Sequence, residues 1–89
     1  MERTPDRHTV TLLTRVGCHL CEQAAAQLAR LADELGFALT STDVDIQAAA
    51  GNVALRAQYG DRLPVVLLDD IEHSYWEVDE AQLRADLSD

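Results

Sequence analysis

Basic residues are scarce in this chain: seven Lys and Arg stand against sixteen Asp and Glu, for a net charge of −9. A surface so acidic repels phosphate backbones and anionic lipid, which argues against nucleic acid and membrane as partners. Long apolar runs are missing as well. No stretch approaches the roughly 18 apolar residues of a membrane span, and Met1-Glu2-Arg3-Thr4-Pro5-Asp6-Arg7-His8 contains no apolar segment of the kind a secretory leader needs. The chain therefore reads as soluble and cytoplasmic. Cysteine is limited to two residues, too few for a disulfide-stapled secreted scaffold. A bridge between positions three apart closes too small a loop to constrain the unfolded chain, so it would serve exchange rather than stability. With 89 residues, 47% of them hydrophobic, there is material for one modest core, and a second domain is excluded.

The two cysteines, Cys18 and Cys21, lie in Arg15-Val16-Gly17-Cys18-His19-Leu20-Cys21. This stretch directly follows the apolar run Val10 to Leu13 and directly precedes a helix-patterned segment, Leu20 to Leu35. A Cys-x-x-Cys at a strand-to-helix junction is the setting of a redox pair. The attacking species is the thiolate, and a helix start offers unpaired N–H groups and the positive end of a dipole, both of which favour a negative sulfur. Cys18 at the cap receives most of that help and attacks; Cys21, one turn on, resolves. His19 can add an imidazolium beside the thiolate and make the pair more oxidising. Arg15 can contact the thiolate or an anionic substrate group. Zinc wants four ligands and the pair supplies two, with His8 and His73 distant in sequence, so no metal site is expected.

Residues 1–8 are polar, contain Pro5, and are expected as a loose arm ahead of a single domain over residues 9–89. Thr9 to Thr14 suits a first strand. Leu20, Ala24, Leu28, Leu31 and Leu35 form a helical stripe that Gly36 ends. Phe37 to Val44 reads as a shorter strand, and Ile46 to Tyr59 as a helix interrupted at Gly51 and Asn52, with Gly60 as its cap and Tyr59 packed inward. Arg62 reads as a solvated loop residue. Pro64 to Leu68 is uniformly apolar, which marks a strand covered on both faces. Asp69-Asp70 turns the chain into an outer strand, Glu72 to Val78, with Trp76 at the edge of the core. Asp79 caps the last helix, with Gln82 as capping-box partner and Val78 and Leu83 as a hydrophobic staple. The order is β-α-β-α-β-β-α: an α/β domain with a mixed four-stranded sheet flanked by three helices.

At this point the chain resembles the thioredoxin-fold superfamily, and within it the small bacterial glutaredoxin-like proteins. The carriers are Thr14-Arg15-Val16-Gly17-Cys18-His19-Leu20-Cys21 after the first strand, Asp43-Val44-Asp45 after the second, and Leu63-Pro64-Val65-Val66 opening the third. The resemblance implies that Cys18 is the nucleophile and Cys21 the resolving cysteine. It also implies that Pro64 is the cis-proline beside the active sulfur, and that Leu63 offers backbone hydrogen bonds to a bound thiol peptide. Arg15 is similar to the basic residue that binds a glutathione carboxylate, and Asp79 stands in for the acid that follows paired glycines in glutaredoxins. Those glycines are missing from His73-Ser74-Tyr75-Trp76-Glu77-Val78-Asp79, and His19-Leu20 replaces the usual Pro-Tyr. The expected activity is dithiol thiol–disulfide exchange by a monomer without a bound cofactor. Its partners would be a disulfide-containing protein or small-thiol mixed disulfide, with glutathione, another low-molecular-weight thiol or a reductase as reductant. The alternative is a non-catalytic binding module or iron–sulfur carrier on the same fold.

Overall fold

Strand β1 (Thr9–Thr14) forms where the sequence is β-branched and apolar, and its Val10, Leu12 and Leu13 are buried. The computed structural model describes residues 8–87, so the N-terminal arm expected over residues 1–8 lies outside them except for His8. After β1 come α1 (His19–Leu35), β2 (Ala38–Asp43), α2 (Val44–Ala49), α3 (Ala54–Tyr59), β3 (Val65–Leu68), β4 (Ile71–Tyr75) and α4 (Glu80–Leu87). The sheet order is β2-β1-β3-β4. Strand β2 runs parallel to β1, whereas β3 is antiparallel to β1 and β4 to β3. This is the mixed four-stranded α/β sheet expected from the sequence, with its two most apolar strands in the middle. Among the described residues no helix is long and apolar enough to cross a membrane.

Each face of the sheet has its own core. Val10 and Leu12 of β1 and Val66 of β3 pack with Ala24, Leu28 and Leu31 of α1 and Leu83 of α4. On the other face Leu13, Val65 and Leu67 meet Val44 of α2 and Tyr59 of α3. The inner line of α1 runs through Cys21, Ala24, Leu28 and Leu31, at the three- and four-residue steps of an amphipathic helix. Leu20, expected at the head of that stripe, is 51% exposed. One residue is about 100° of helix, so placing Cys21 inward turns Leu20 out. Gly36 closes α1 at φ 81°, and its N–H donates to the Ala32 carbonyl at 2.8 Å.

Among the described residues four helices flank the sheet where three were expected, because the connection from β2 to β3 is split into α2 and α3. Between α2 and α3 Gly51 takes φ 103°, and the Asn52 side chain accepts the Ala54 N–H at 3.4 Å. Gly60 is not a left-handed cap: it stays right-handed at φ −57°, and a Cβ there would lie 2.5 Å from the Arg56 carbonyl oxygen. Strand β4 ends at Tyr75 rather than Val78. Trp76 adopts φ 69° and projects into solvent, 56% exposed, where an edge-of-core position was expected. The β3–β4 hairpin turns on Asp69 and Asp70, at φ 51° and 70°, as a type I′ turn requires. Asp69 also fixes the start of the domain. Its carboxylate accepts the Thr9 N–H at 2.9 Å and lies 2.6 Å from His8 Nδ1, so His8 is tied to the sheet instead of belonging to a loose arm.

Helix α4 starts as the sequence indicates, with the Gln82 N–H donating to Asp79 Oδ1 at 3.2 Å and Val78 and Leu83 buried together. The Gln82 amide does not complete a capping box; it donates to Asp86 Oδ1 at 2.8 Å. Charges then join α4 to α1. Arg84 pairs with Glu34 and Glu80, while Gln27 and Arg30 donate to Glu80 Oε1 at 3.1 and 3.2 Å. The hydrogen bond from Arg84 holds Glu34 below the usual carboxylate range, and those from Gln27, Arg84 and Arg30 do the same for Glu80.

Two outcomes follow from this packing. Leu28→Ala, which empties a fully buried position, is expected to cost about 2–5 kcal/mol in urea unfolding; a loss under about 0.5 kcal/mol would contradict the core assignment. Carboxylates with lowered pKa values contribute stability while ionised, so that contribution is present above about pH 4 and disappears as pH falls through their folded values. Thermal unfolding of the wild type is therefore expected to weaken from pH 5 to pH 3, and Arg84→Met to flatten that slope. Since the groups are exposed, added salt should shrink the difference.

Candidate functional site

The turn from β1 into α1 has to reverse direction within four residues. Gly17 makes this feasible at φ 80°, and the Cys18 N–H reaches back to the Arg15 carbonyl at 3.4 Å. Cys18 is the N-cap of α1, in extended conformation, and its Sγ accepts the Cys21 N–H at 3.1 Å. Sulfur thus takes the place that a Ser or Asp oxygen fills at most helix starts. Cys18 is half-buried and Cys21 is 2% exposed. The two sulfurs are joined as a disulfide, with Cα atoms 5.1 Å apart.

Pro64 arrives from the neighbouring strand. Leu13 pairs with Val65 in the antiparallel register, so Pro64 lies at the end of the sheet where β1 runs into the cysteine turn. It is buried and follows a cis peptide bond from Leu63. The Trp76 N–H lies 2.7 Å from the Pro64 carbonyl oxygen and 3.2 Å from that of Arg62. These bonds bracket Leu63 and hold Trp76 against the proline turn. The Leu63 side chain packs on the Tyr59 cluster.

The expected helpers are placed differently from one another. Arg15 turns its guanidinium away from solvent partners and onto Asp45. Nε and Nη2 donate to the two carboxylate oxygens at 2.9 and 3.0 Å, and Nη1 lies 3.5 Å from the Gly60 carbonyl oxygen. The Asp45 hydrogen bonds raise the Arg15 pKa, and the same bonds hold the Asp45 carboxyl below the usual range. Arg15 consequently ties the cysteine turn to the start of α2. His19 is 95% exposed and faces Glu22 at 3.8 Å. Asp79 has its Oδ1 engaged as the α4 cap. His8 and His73, the remote histidines, sit by Asp69 and Asp86, and no group of three or more potential ligands forms a metal site among the described residues.

Some of the site carries no sequence signal. Arg62, expected as solvated, stacks between the rings of Tyr59 and Tyr75 at 5.5 and 5.4 Å and pairs with Glu72 at 2.7 Å. Tyr59 is three residues away but lies across the end of α3, and Tyr75 is 13 residues away, a separation that no helix or strand rule links. Exposed apolar side chains also lie next to the cysteines in sequence. Val16 (87% exposed) and Leu20 flank Cys18 in sequence, and a shallow groove is lined by Leu20, Gln23, Ala24, Gln27, Trp76 and Val78. Exposed Leu20 and Trp76 could have been found only by fixing the helical phase from Cys21 and the strand end from Trp76 itself.

Comparison with known proteins places this geometry. The sequence profile of the Glutaredoxin-like domain (DUF836) matches residues 9–88. Uncharacterized proteins of Mycobacterium bovis and Mycobacterium tuberculosis are 61% identical over 82 residues, which is 92% of this chain and 84% of theirs. The solution structure of protein Ne2328 from Nitrosomonas europaea superposes with a TM-score of 0.76 at 30% identity, covering 96% of each chain. Fasciola hepatica thioredoxin superposes at 0.58 and 24% identity over 93% of this chain and 80% of its own, a likeness of fold. With a profile match over nearly the whole length and a sheet that superposes on thioredoxins, the chain belongs to the glutaredoxin-like (DUF836) family of thioredoxin-fold proteins.

Proposed function

We propose that the protein is a dithiol thiol–disulfide oxidoreductase. The observation that carries this reading is the Cys21 N–H aimed at Cys18 Sγ at 3.1 Å from the first turn of a 17-residue helix. A donor fixed in that place stabilises a thiolate more than a thiol, and the helix dipole adds to it. In the reduced protein the Cys18 thiolate attacks one sulfur of a substrate disulfide. A Cys18 mixed disulfide forms and the other substrate sulfur leaves as a thiolate that takes a proton. The Cys21 thiol then loses its proton and attacks Cys18 Sγ, releasing the second substrate thiol and leaving the Cys18–Cys21 bridge. Two electrons pass from the protein dithiol to the substrate. A low-molecular-weight thiol or a dithiol reductase returns them, which suits a reducing, cytoplasmic setting.

Burial divides the labour. Cys18 is reachable and Cys21 is not, so an incoming disulfide meets Cys18, while Cys21 can reach only the sulfur beside it. The Leu63 backbone, left outside the Trp76 hydrogen bonds, lies at the same end of the sheet and supports the reading that a substrate chain pairs there. His19 and Arg15 act on the sulfur at most through space, since each already faces a carboxylate.

Replacing each cysteine separates these roles. Cys18→Ser is expected to lower disulfide reduction at least about a thousandfold. Cys21→Ser should instead accumulate a covalent mixed disulfide on Cys18, visible as added mass that dithiothreitol removes. Equal residual activity in the two variants, or trapping on Cys21 rather than Cys18, would contradict the assignment.

A further inference from the structure

We propose that the site selects a protein disulfide flanked by basic and apolar residues, and discriminates against disulfides whose flanks carry carboxylates. This rests on the exchange chemistry proposed above and names the substrate class for it. The first observation is a shortage of free positive charge. Each of the five described arginines faces a carboxylate: Arg15 and Arg56 face Asp45, Arg30 and Arg84 face Glu34 and Glu80, and Arg62 faces Glu72. The three histidines do the same, His8 toward Asp69, His19 toward Glu22 and His73 toward Asp86. Asp45 is shared by Arg15 and Arg56, and the other described cations each face a carboxylate, so a carboxylate arriving on a substrate meets positive charge that is already partly neutralised.

Negative charge, by contrast, is open at the groove. Glu77 lies between Trp76 and Val78, lines the groove beside Leu20, and has no ion-pair partner among the described residues. It also lines a larger open depression of about 780 Å³ along β4, where Glu72 and Glu80 are engaged by arginines and Asp79 caps α4, so the open negative charge there is that of Glu77. The groove thus runs from the apolar wall at Leu20, one residue into the helix from its first position, past Trp76 to Glu77. An extended segment whose disulfide sits at Cys18 would lay apolar side chains on Leu20 and Trp76 and basic ones toward Glu77. Charge of one sign in a cleft raises the encounter rate of the opposite sign and suppresses like charge. The net charge of −9 works in the same direction at long range.

The test uses the full chain, reduced in advance and freed of reductant, in single-turnover reaction with three peptide disulfides. They share one apolar core sequence and carry Lys, Gln or Glu flanks; oxidised glutathione is the small carboxylate-bearing comparison. At low ionic strength the Lys peptide is expected to react at least about tenfold faster than the Glu peptide, with glutathione disulfide slower than the Lys peptide. At about 0.5 M salt that ratio should fall toward one. Glu77→Gln should narrow the Lys-to-Glu ratio, and Asp45→Asn, which releases Arg15, should raise the rate with the Glu peptide. Trp76→Ala should slow all three peptides. Equal rates for Lys and Glu peptides, a preference for Glu, or glutathione disulfide outrunning the Lys peptide overturns the selectivity while leaving the exchange chemistry standing. No reaction with any of the four overturns both.

Discussion

An amide hydrogen pointing from Cys21 at the sulfur of Cys18 is the contact on which the proposed chemistry of this domain depends, and the phase of one helix sets it. Helix α1 must bury Ala24, Leu28 and Leu31 against β1 and β3, which fixes its rotation about its own axis. Cys21 then falls on the inner line and is buried. Cys18 becomes the cap, and His19 and Leu20 are swung into solvent. Nothing else is needed to separate a reachable sulfur from a shielded one. The asymmetry between a half-buried Cys18 and a buried Cys21 is thus a by-product of core packing, with Gly17 supplying a left-handed backbone conformation in the turn between β1 and the helix.

The parts of this arrangement that are local in sequence were legible there. A β-branched strand, a stripe at three- and four-residue spacing, a uniformly apolar third strand and the Asp79 cap each follow from rules that span a few residues, and the element order follows from stringing them together. The parts that failed depend on tertiary competition. Leu20 reads as core because it stands four residues before Ala24 at the head of the stripe, yet Cys21 takes the inner line instead. Trp76 reads as strand because alternation continues past Tyr75, but its N–H is taken by the Arg62 and Pro64 carbonyls, and that pull ends β4 and leaves the ring outside. The interruption expected at Gly51 and Asn52 within Ile46 to Tyr59 is there, but it is wide enough to make two helices, because Gly51 leaves the right-handed region and the Asn52 side chain accepts the Ala54 N–H at the start of α3. Arg15 was read for its charge, which a sequence shows; its partner Asp45 is thirty residues away, which a sequence does not.

Arginine has a second use in this fold. Arg15 fastens the cysteine turn to α2, Arg62 fastens the segment before Pro64 to β4, and Arg84 with Arg30 fastens α4 to α1. Each joins an element that the sheet alone does not hold, and each is exposed or half-buried, so any one pair contributes little by itself. Together they commit the positive charge of the described chain to internal partners. Structure and binding draw on the same few cations, and structure has taken them.

This allocation explains why the surroundings of the disulfide combine apolar and acidic groups without a free base. Val16, Leu20 and Trp76 are exposed, Leu20 because Cys21 takes the inner line of α1 and Trp76 where its N–H is held by the Arg62 and Pro64 carbonyls. Exposed aromatic and aliphatic groups around a reactive sulfur favour association with other apolar surface. Glu77, set between Trp76 and Val78 on the chain segment that follows β4, would add a sign preference to that otherwise undirected stickiness. On the selectivity proposed above, the backbone geometry that holds a sulfur at a helix start would also decide what kind of chain approaches it.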